Sequence, residues 1–340
     1  MELCLQNPNG ISKKFPQFDT ATDASDHSYF NSNNTLITST DSLFYKTIMK
    51  EWKILDKNLP PSIYVRIYEN RIDLLRAVII GASGTPYHDG LFFFDFFFPA
   101  EYPYTPPRVK YTAFGLRINP NLYDTGYLCL SILNTWPGPS WQPNVSTVLQ
   151  VLVSIQGLVL NEEPFYNEPL VLINSSYLSK KYTDNVFVLS CRTMIFLLQK
   201  PPKNFEDFVV EHFRDHGRRI LTACKAYMNG YVRVGKYQDC ESLVCDRKVK
   251  VSSTFLSSMT SYYAILFSSF VKNDPSLNDF RVQLNELMEK TEREYIEKTK
   301  FKESKFMNWI YGIFKKFPML NRCVKGNAAV PETVSLSERE

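Results

Sequence analysis

The chain has 340 residues and a formal net charge of +4, with 44% hydrophobic and 14% aromatic residues, among them 25 Phe and 20 Tyr. That supply of apolar side chains excludes a mostly disordered protein and suffices for one catalytic-size domain plus further helices or tails, while the mild basic excess gives no ground for nucleic-acid binding. Seven scattered cysteines without a Cys-x-x-Cys pair fit a reducing compartment, and with neither a secretory start nor an apolar run of about 18 residues the expectation is a soluble cytoplasmic or nuclear protein.

Residues 1–40 are rich in Asn, Ser, Thr and Asp, which predicts a disordered N-terminal arm. From Asp41, a candidate N-cap, Phe44, Ile48, Trp52 and Leu55 share one face of a helix that Pro60-Pro61 stops. Ile63, Val65 and Ile67 alternate with Tyr64, Arg66 and Tyr68, and a turn at Asn70-Arg71 leads into a second strand from Leu74 to Ile80. Leu91 to Phe98 carries aromatic residues on both faces, the pattern of a strand covered on both sides. Val109 to Thr112 supplies a fourth strand, and one helix followed by four antiparallel strands predicts an α+β domain.

Asn144 or Ser146 caps the next helix, with Val145, Val148, Leu149, Leu152, Ile155 and Leu158 as its buried stripe. Ser175 to Gln199 reads as another, ended by Pro201-Pro202, and Asn204 opens one with Phe205, Phe208, Val209, His212 and Phe213 inward. Past Gly230 the signal loosens. Phe255 to Val271 is a Ser- and Thr-rich candidate helix, and Leu277, Phe280, Leu284 and Leu287 mark a clearer one. Between residues 301 and 325 six basic residues against one acidic interleave with aromatics. That pattern suits either a helix lying on a membrane surface or one docked on the preceding helices. These signals divide the chain into the arm, a catalytic domain over 41–203, a helical extension over 204–325 and a flexible tail over 326–340.

The chemistry concentrates in Asn119-Pro120-Asn121-Leu122-Tyr123-Asp124-Thr125-Gly126-Tyr127-Leu128-Cys129-Leu130, where an isolated cysteine follows an Asn-rich turn and a glycine. Taken alone, a cysteine between two leucines is more often a buried filler than a nucleophile. Its neighbours reverse that balance. Thr85-Pro86-Tyr87 with Gly90, Tyr102-Pro103 with Pro106-Pro107, Trp141, and Ser154-Ile155-Gln156 stand around it in an order that resembles the catalytic domain of ubiquitin-conjugating enzymes. The resemblance covers roughly residues 41 to 200, and the long segment from Asn134 to Trp141 is similar to that of the enlarged, plant-type members, some of which have ligase-like self-sufficiency.

The resemblance implies the family's fold: an N-terminal helix, a four-stranded antiparallel sheet and a long central helix, here with a C-terminal helical region added. It implies that Cys129 receives the C-terminus of ubiquitin from the activating enzyme as a thioester and passes it to a substrate lysine. Asn121, eight residues before Cys129, would stabilise the oxyanion or brace the loop. Asn119 stands where the family has His, a departure that touches loop architecture more than chemistry. Glu168, in Asn167-Glu168-Pro169, occupies the place of the residue that gates the incoming lysine, its plain alternative being a solvated loop glutamate. Tyr123 and Ser131 flank the site. Lys46, Lys50, Lys53, Tyr104, Trp141 and Pro143 match positions that meet the activating enzyme and a ligase. No cofactor or metal is implied, ATP being used by the activating enzyme. The alternative is a non-catalytic scaffold of the same fold that binds ubiquitin or a ligase. A rival zinc reading of His212 and His216, spaced i and i+4 with Asp215 between, lacks a third ligand.

Overall fold

A five-stranded sheet in the order β1-β2-β3-β4-β5 organises the molecule, with β1 over Phe18–Ala21, β2 over Ile63–Tyr68, β3 over Leu74–Ile80, β4 over Leu91–Phe97 and β5 over Arg108–Tyr111. The computed structural model describes residues 15–32, 42–168, 175–238 and 249–282, together with positions 289 and 293. β2 to β5 pair antiparallel, with Val65 opposite Ala77 and Ala77 opposite Phe94. β1 adds to β2 in parallel, Phe18 opposite Val65. The sheet thus has one strand more than the four expected, and residues 15–32 are not the disordered stretch that their polar composition suggests. Sparse aromatics achieve this: Phe15 packs on Tyr64, Phe205 and Phe208, and Tyr29 stacks on Phe97.

Because strand side chains alternate between faces, the sheet presents two surfaces. The inner one, with Val65, Ile67, Leu75, Ala77, Ile79, Phe92, Phe94 and Phe96, joins the main core with Ile48 and Leu55 of α1 (Leu43–Asn58) and Val148, Val151 and Leu152 of α2 (Val148–Ser154). α1 starts at Ser42, whose hydroxyl accepts from the Tyr45 amide, one residue later than the expected cap. Its buried Glu51 accepts from the Tyr102 hydroxyl at 2.7 Å and from the Val148 amide at 3.0 Å, a carboxylate on the free N–H of a helix start. Burial pushes the Glu51 carboxyl up, and the two donors oppose it.

The central helix is shorter than its apolar stripe suggests. Thr147, neither Asn144 nor Ser146, caps it in a reciprocal box with Gln150, so Val145 lies outside and is 63% exposed. At its other end a π-helical turn over Ile155–Val159 inserts an extra residue, which rotates Leu158 outward to 62% exposure.

The outer face is covered by the residue 15–30 segment and by the start of α4 (Glu206–Met228), where Phe205 meets Phe93 and Phe208 meets Tyr64. Asp95, the one charge in the aromatic strand, is buried in a bidentate pair with Arg76 at 2.7 and 3.1 Å. Arg76 also donates to Asp26 at 2.7 Å, and Asp95 accepts from the Ser28 amide. Lys203 and Asn204 then bond Asp23, and the Lys203 amide donates to Asp26. No boundary falls at 203/204: the described residues up to Arg281 belong to one compact unit.

Two further helices, α3 (Ser176–Gln199) and α5 (Ser253–Asn273), complete the first unit. α5 packs on α4 so closely that a Cβ at Gly217 would lie 3.3 Å from Leu277 and Phe270. Pro275–Asp279 forms a 3-10 turn, while Leu284 and Leu287 of the expected helix, the basic 301–325 segment and the 326–340 tail lie outside the described residues. Among those described, no helix is long and apolar enough to cross a membrane.

Candidate active site

Asn121 and Cys129 face each other as partners in a tight hairpin. The Cys129 amide donates to the Asn121 carbonyl at 2.9 Å, and the Tyr123 amide to the Tyr127 carbonyl at 3.0 Å. Leu122 lies directly opposite Leu128. The two leucines are buried in the core, so alternation turns Asn121, Tyr123, Tyr127 and Cys129 the other way. The eight-residue spacing is therefore a register. At the tip, Gly126 has φ 88°, and a Cβ there would meet the Tyr111 carbonyl oxygen at 2.4 Å.

The Asn121 side chain closes the hairpin. Its Nδ2 donates to the Cys129 carbonyl at 3.0 Å, and its Oδ1 is buried without a hydrogen bond in this structure. Of the two roles expected for Asn121, bracing is thus visible in the geometry. Asn119 fixes the turn beneath it: its Oδ1 accepts from the Asn121 amide at 2.8 Å, and its Nδ2 donates to the Tyr87 hydroxyl at 2.8 Å and the Val159 carbonyl at 2.7 Å. Tyr87 in turn donates to the Ile118 carbonyl. On the far side, the Thr135 hydroxyl accepts from the Leu130 amide and donates toward the Leu128 and Leu130 carbonyls.

Cys129 is a free thiol, 5% exposed. Burial pushes it above the ordinary thiol range; a hydrogen bond from Tyr123 and the charge of Arg117 pull the other way, and the charge of Glu168 adds to the rise. Arg117 sits over the Tyr123 ring at 4.4 Å. Glu168 is half-buried at the end of the 3-10 turn Pro164–Asn167 and acts on Cys129 through its charge. Cys129, Asn121, Glu168 and Tyr123 are thus brought together, with Tyr87 and Asn167, which stood in the quoted motifs without a role of their own, and with Arg117, which no sequence pattern singled out.

The expected partner-binding residues divide. Lys46, Lys50 and Lys53 are exposed along α1, Pro143 is exposed, and Tyr104 is 63% exposed. Lys46 and Lys50 line a hollow of about 260 Å³ with Leu43, Pro103 and Asn144. Trp141 does not belong with them. It is buried, and its indole N–H donates to the Pro103 carbonyl at 2.7 Å, so it supports the loop that presents Tyr104 instead of offering a surface.

The His212–His216 pair also has a structural use. The His212 Nε2 is 2.8 Å from the Asp89 carbonyl, and the His216 Nδ1 is 2.9 Å from the His212 carbonyl. Burial, then the neighbouring His216, pushes His212 down to about 4. Beside them the Tyr227 hydroxyl accepts from the Gly235 amide and lies 2.9 Å from His88 Nε2, and His88 Nδ1 lies 2.8 Å from the Asp89 carboxylate. Among the described residues, no group of three or more His, Cys, Asp and Glu is placed to hold a metal ion.

A sheet over a central helix, with a cysteine held in a hairpin beside an asparagine, defines the class, and comparison with known proteins agrees. The family profile "Ubiquitin-conjugating enzyme" matches residues 47–186. The chain is similar to ubiquitin-conjugating enzyme E2 38 of Arabidopsis thaliana, 47% identical over 76% of this chain and 82% of that protein. It is 53% identical to ubiquitin-conjugating enzyme E2 25 of Arabidopsis thaliana over 65% of this chain and 37% of that one. To the human dual E2 ubiquitin-conjugating enzyme/E3 ubiquitin-protein ligase BIRC6 it is 35% identical over 54% of this chain and 4% of that protein. The chain belongs to the ubiquitin-conjugating enzyme family, a family of transferases. It spans little more than a third of E2 25 and most of E2 38.

Proposed function

We propose that Cys129 carries ubiquitin as a thioester between the activating enzyme and a lysine amine. The observation that carries this reading is the hairpin register that sets the Asn121 amide on the Cys129 carbonyl. In the first step the Cys129 sulfur, its proton lost, attacks the thioester carbonyl of ubiquitin on the activating enzyme; a C–S bond forms, the other breaks, and the activating enzyme's thiolate leaves. That enzyme has already consumed the ATP. In the second step a lysine nitrogen attacks the new thioester, an amide forms, and Cys129 leaves as thiolate. The lysine proton goes to Glu168 or, through it, to water.

The geometry supports a division of labour. Asn121 spends one N–H on the Cys129 carbonyl, and the amide's second N–H is the donor for the oxyanion; removing such a donor costs about 10² to 10³ in rate. A thiol whose pKa is raised by burial is a slow leaving group, which preserves the thioester until a positioned amine arrives. Lys46, Lys50, Lys53, Tyr104 and Pro143 form the face for the activating enzyme and a ligase, and the protein works in cytoplasm or nucleus.

The test is thioester charging with activating enzyme, ubiquitin and ATP, with Cys129→Ser alongside. A reductant-sensitive adduct is expected on the wild type, replaced in Cys129→Ser by a reductant-resistant ester or by none. An unmodified wild type, under conditions that charge an ordinary family member, would leave the non-catalytic scaffold in its place.

A further inference from the structure

Glu168 directly follows the 3-10 turn Pro164–Asn167, and the last side chain of that turn, Asn167, ties it to the catalytic turn. Its Nδ2 lies 3.1 Å from the Val159 carbonyl and 3.3 Å from Asn119 Oδ1. Its Oδ1 accepts from Asn161 Nδ2 at 2.6 Å, and the same Asn161 nitrogen donates to the Leu158 carbonyl at 2.9 Å. Asn119, fully buried, donates to the same Val159 carbonyl and accepts from the Asn121 amide. A chain of amides therefore runs Asn161, Asn167, Asn119, Asn121 and ends on the Cys129 carbonyl.

Two features make the chain specific. Val159 closes the π-helical turn, and its carbonyl turns inward to take both Asn119 and Asn167. Asn119 can serve two sides because its oxygen has two acceptor positions and its nitrogen two protons, and all four are in use.

We propose that Asn167 is a positioning residue: through Asn119 and the Val159 carbonyl it fixes the gate segment, and with it Glu168, relative to Cys129, so that lysine attack depends on it more than charging does. This rests on the thioester reading above. Glu168 follows Asn167 directly, so a loosened Asn167 leaves the carboxylate averaged over positions in which it does not meet the amine.

The experiment follows charging by the activating enzyme and, separately, discharge of purified thioester onto free lysine, for wild type, Asn167→Ala, Glu168→Gln and the double variant. Asn167→Ala is expected to slow discharge about fivefold, the weight of one neutral buried hydrogen bond, with charging changed less than twofold. In the Glu168→Gln background the same substitution should add less than twofold, because the group it positions has lost its charge. Effects that multiply in full, or unchanged discharge in Asn167→Ala, would overturn the proposal. Asn161→Ala, which removes one support of the Asn167 oxygen from the loop side, should act in the same direction and guards against a folding defect. Hydrogen exchange at the Asn121 amide reads the tie without any chemistry. Asn167→Ala should accelerate it several-fold, and unchanged exchange would count against the proposal even in a protein that does not charge.

Discussion

The two faces of the sheet are closed in different ways. The inner face meets α1 and α2 chiefly through aliphatic and aromatic side chains, with Glu51 at the helix junction and Gln156, whose amide donates to the Ser62 hydroxyl, as polar contacts among the described residues. The outer face is covered by segments far apart in sequence, residues 15–30 and the start of α4, and its cover is located by charges: Arg76 with Asp95 and Asp26, Lys203 with Asp23. Apolar contact is non-directional and leaves several alignments similar in energy, whereas a bidentate pair has one geometry. Where loop length does not dictate the docking, the molecule uses charge to do so.

The contrast can be broken most sharply at Asp95. Asp95→Ala takes away the buried partner of Arg76 and leaves it only the half-exposed Asp26, which should cost about 3 kcal/mol in urea denaturation, whereas Arg76→Met with Asp95→Leu should recover most of that loss. An equal cost for both would mean that the pair itself, and not the stranded charge, carries the stability.

Acid should loosen the outer cover before the inner core. His212, on the helix that covers the outer face, has a folded pKa of about 4, below its unfolded value of 6.5. Its contribution is present above pH 6.5 and is lost as pH falls toward 4, on the order of 3 kcal/mol at 1.36 kcal/mol per unit. Asp95 extends the loss to lower pH: burial alone would raise it, but the Arg76 hydrogen bonds and charge hold it below the usual carboxylate range. Denaturation midpoints from pH 7 to 4 should show the decline, and His212→Gln should flatten it.

The smallest expected effect belongs to the inner face. Glu51→Ala strands the Tyr102 hydroxyl and the Val148 amide and should cost about 2 kcal/mol. Glu51→Gln keeps an acceptor for the Val148 amide but turns an N–H toward the Tyr102 hydroxyl, reversing that bond, and should cost about 1 kcal/mol in the same melt.

The same contrast explains what was legible in the sequence. α1 and β2 to β5 follow from local periodicity, and their ends fall within a few residues of the expected ones. β1 did not announce itself, because Phe18–Ala21 has neither alternation nor apolar weight and exists by pairing with β2. A cue was present in Asp95: one carboxylate inside a strand buried on both faces requires a buried cation, and Arg76 lies opposite it in register. At the site, the spacing of Asn121 and Cys129 was readable because a hairpin fixes it locally. The roles of Asn167 and Tyr87 were not, since they depend on the π turn and on contacts across tens of residues, and Arg117 stood in no motif. Trp141 shows the reverse error, an aromatic in a loop taken for a contact surface when its ring was filling the core.

The hairpin at the centre of the site carries an arithmetic of its own. Asn121 with Cys129, Leu122 with Leu128 and Tyr123 with Tyr127 all pair about one turn. Any change in the length of that turn must respect parity. Adding two residues between Tyr123 and Tyr127 leaves every pairing intact and only lengthens the tip. Adding one swaps the two faces of the returning strand, carrying the sulfur of Cys129 into the space of a leucine and a leucine out to water.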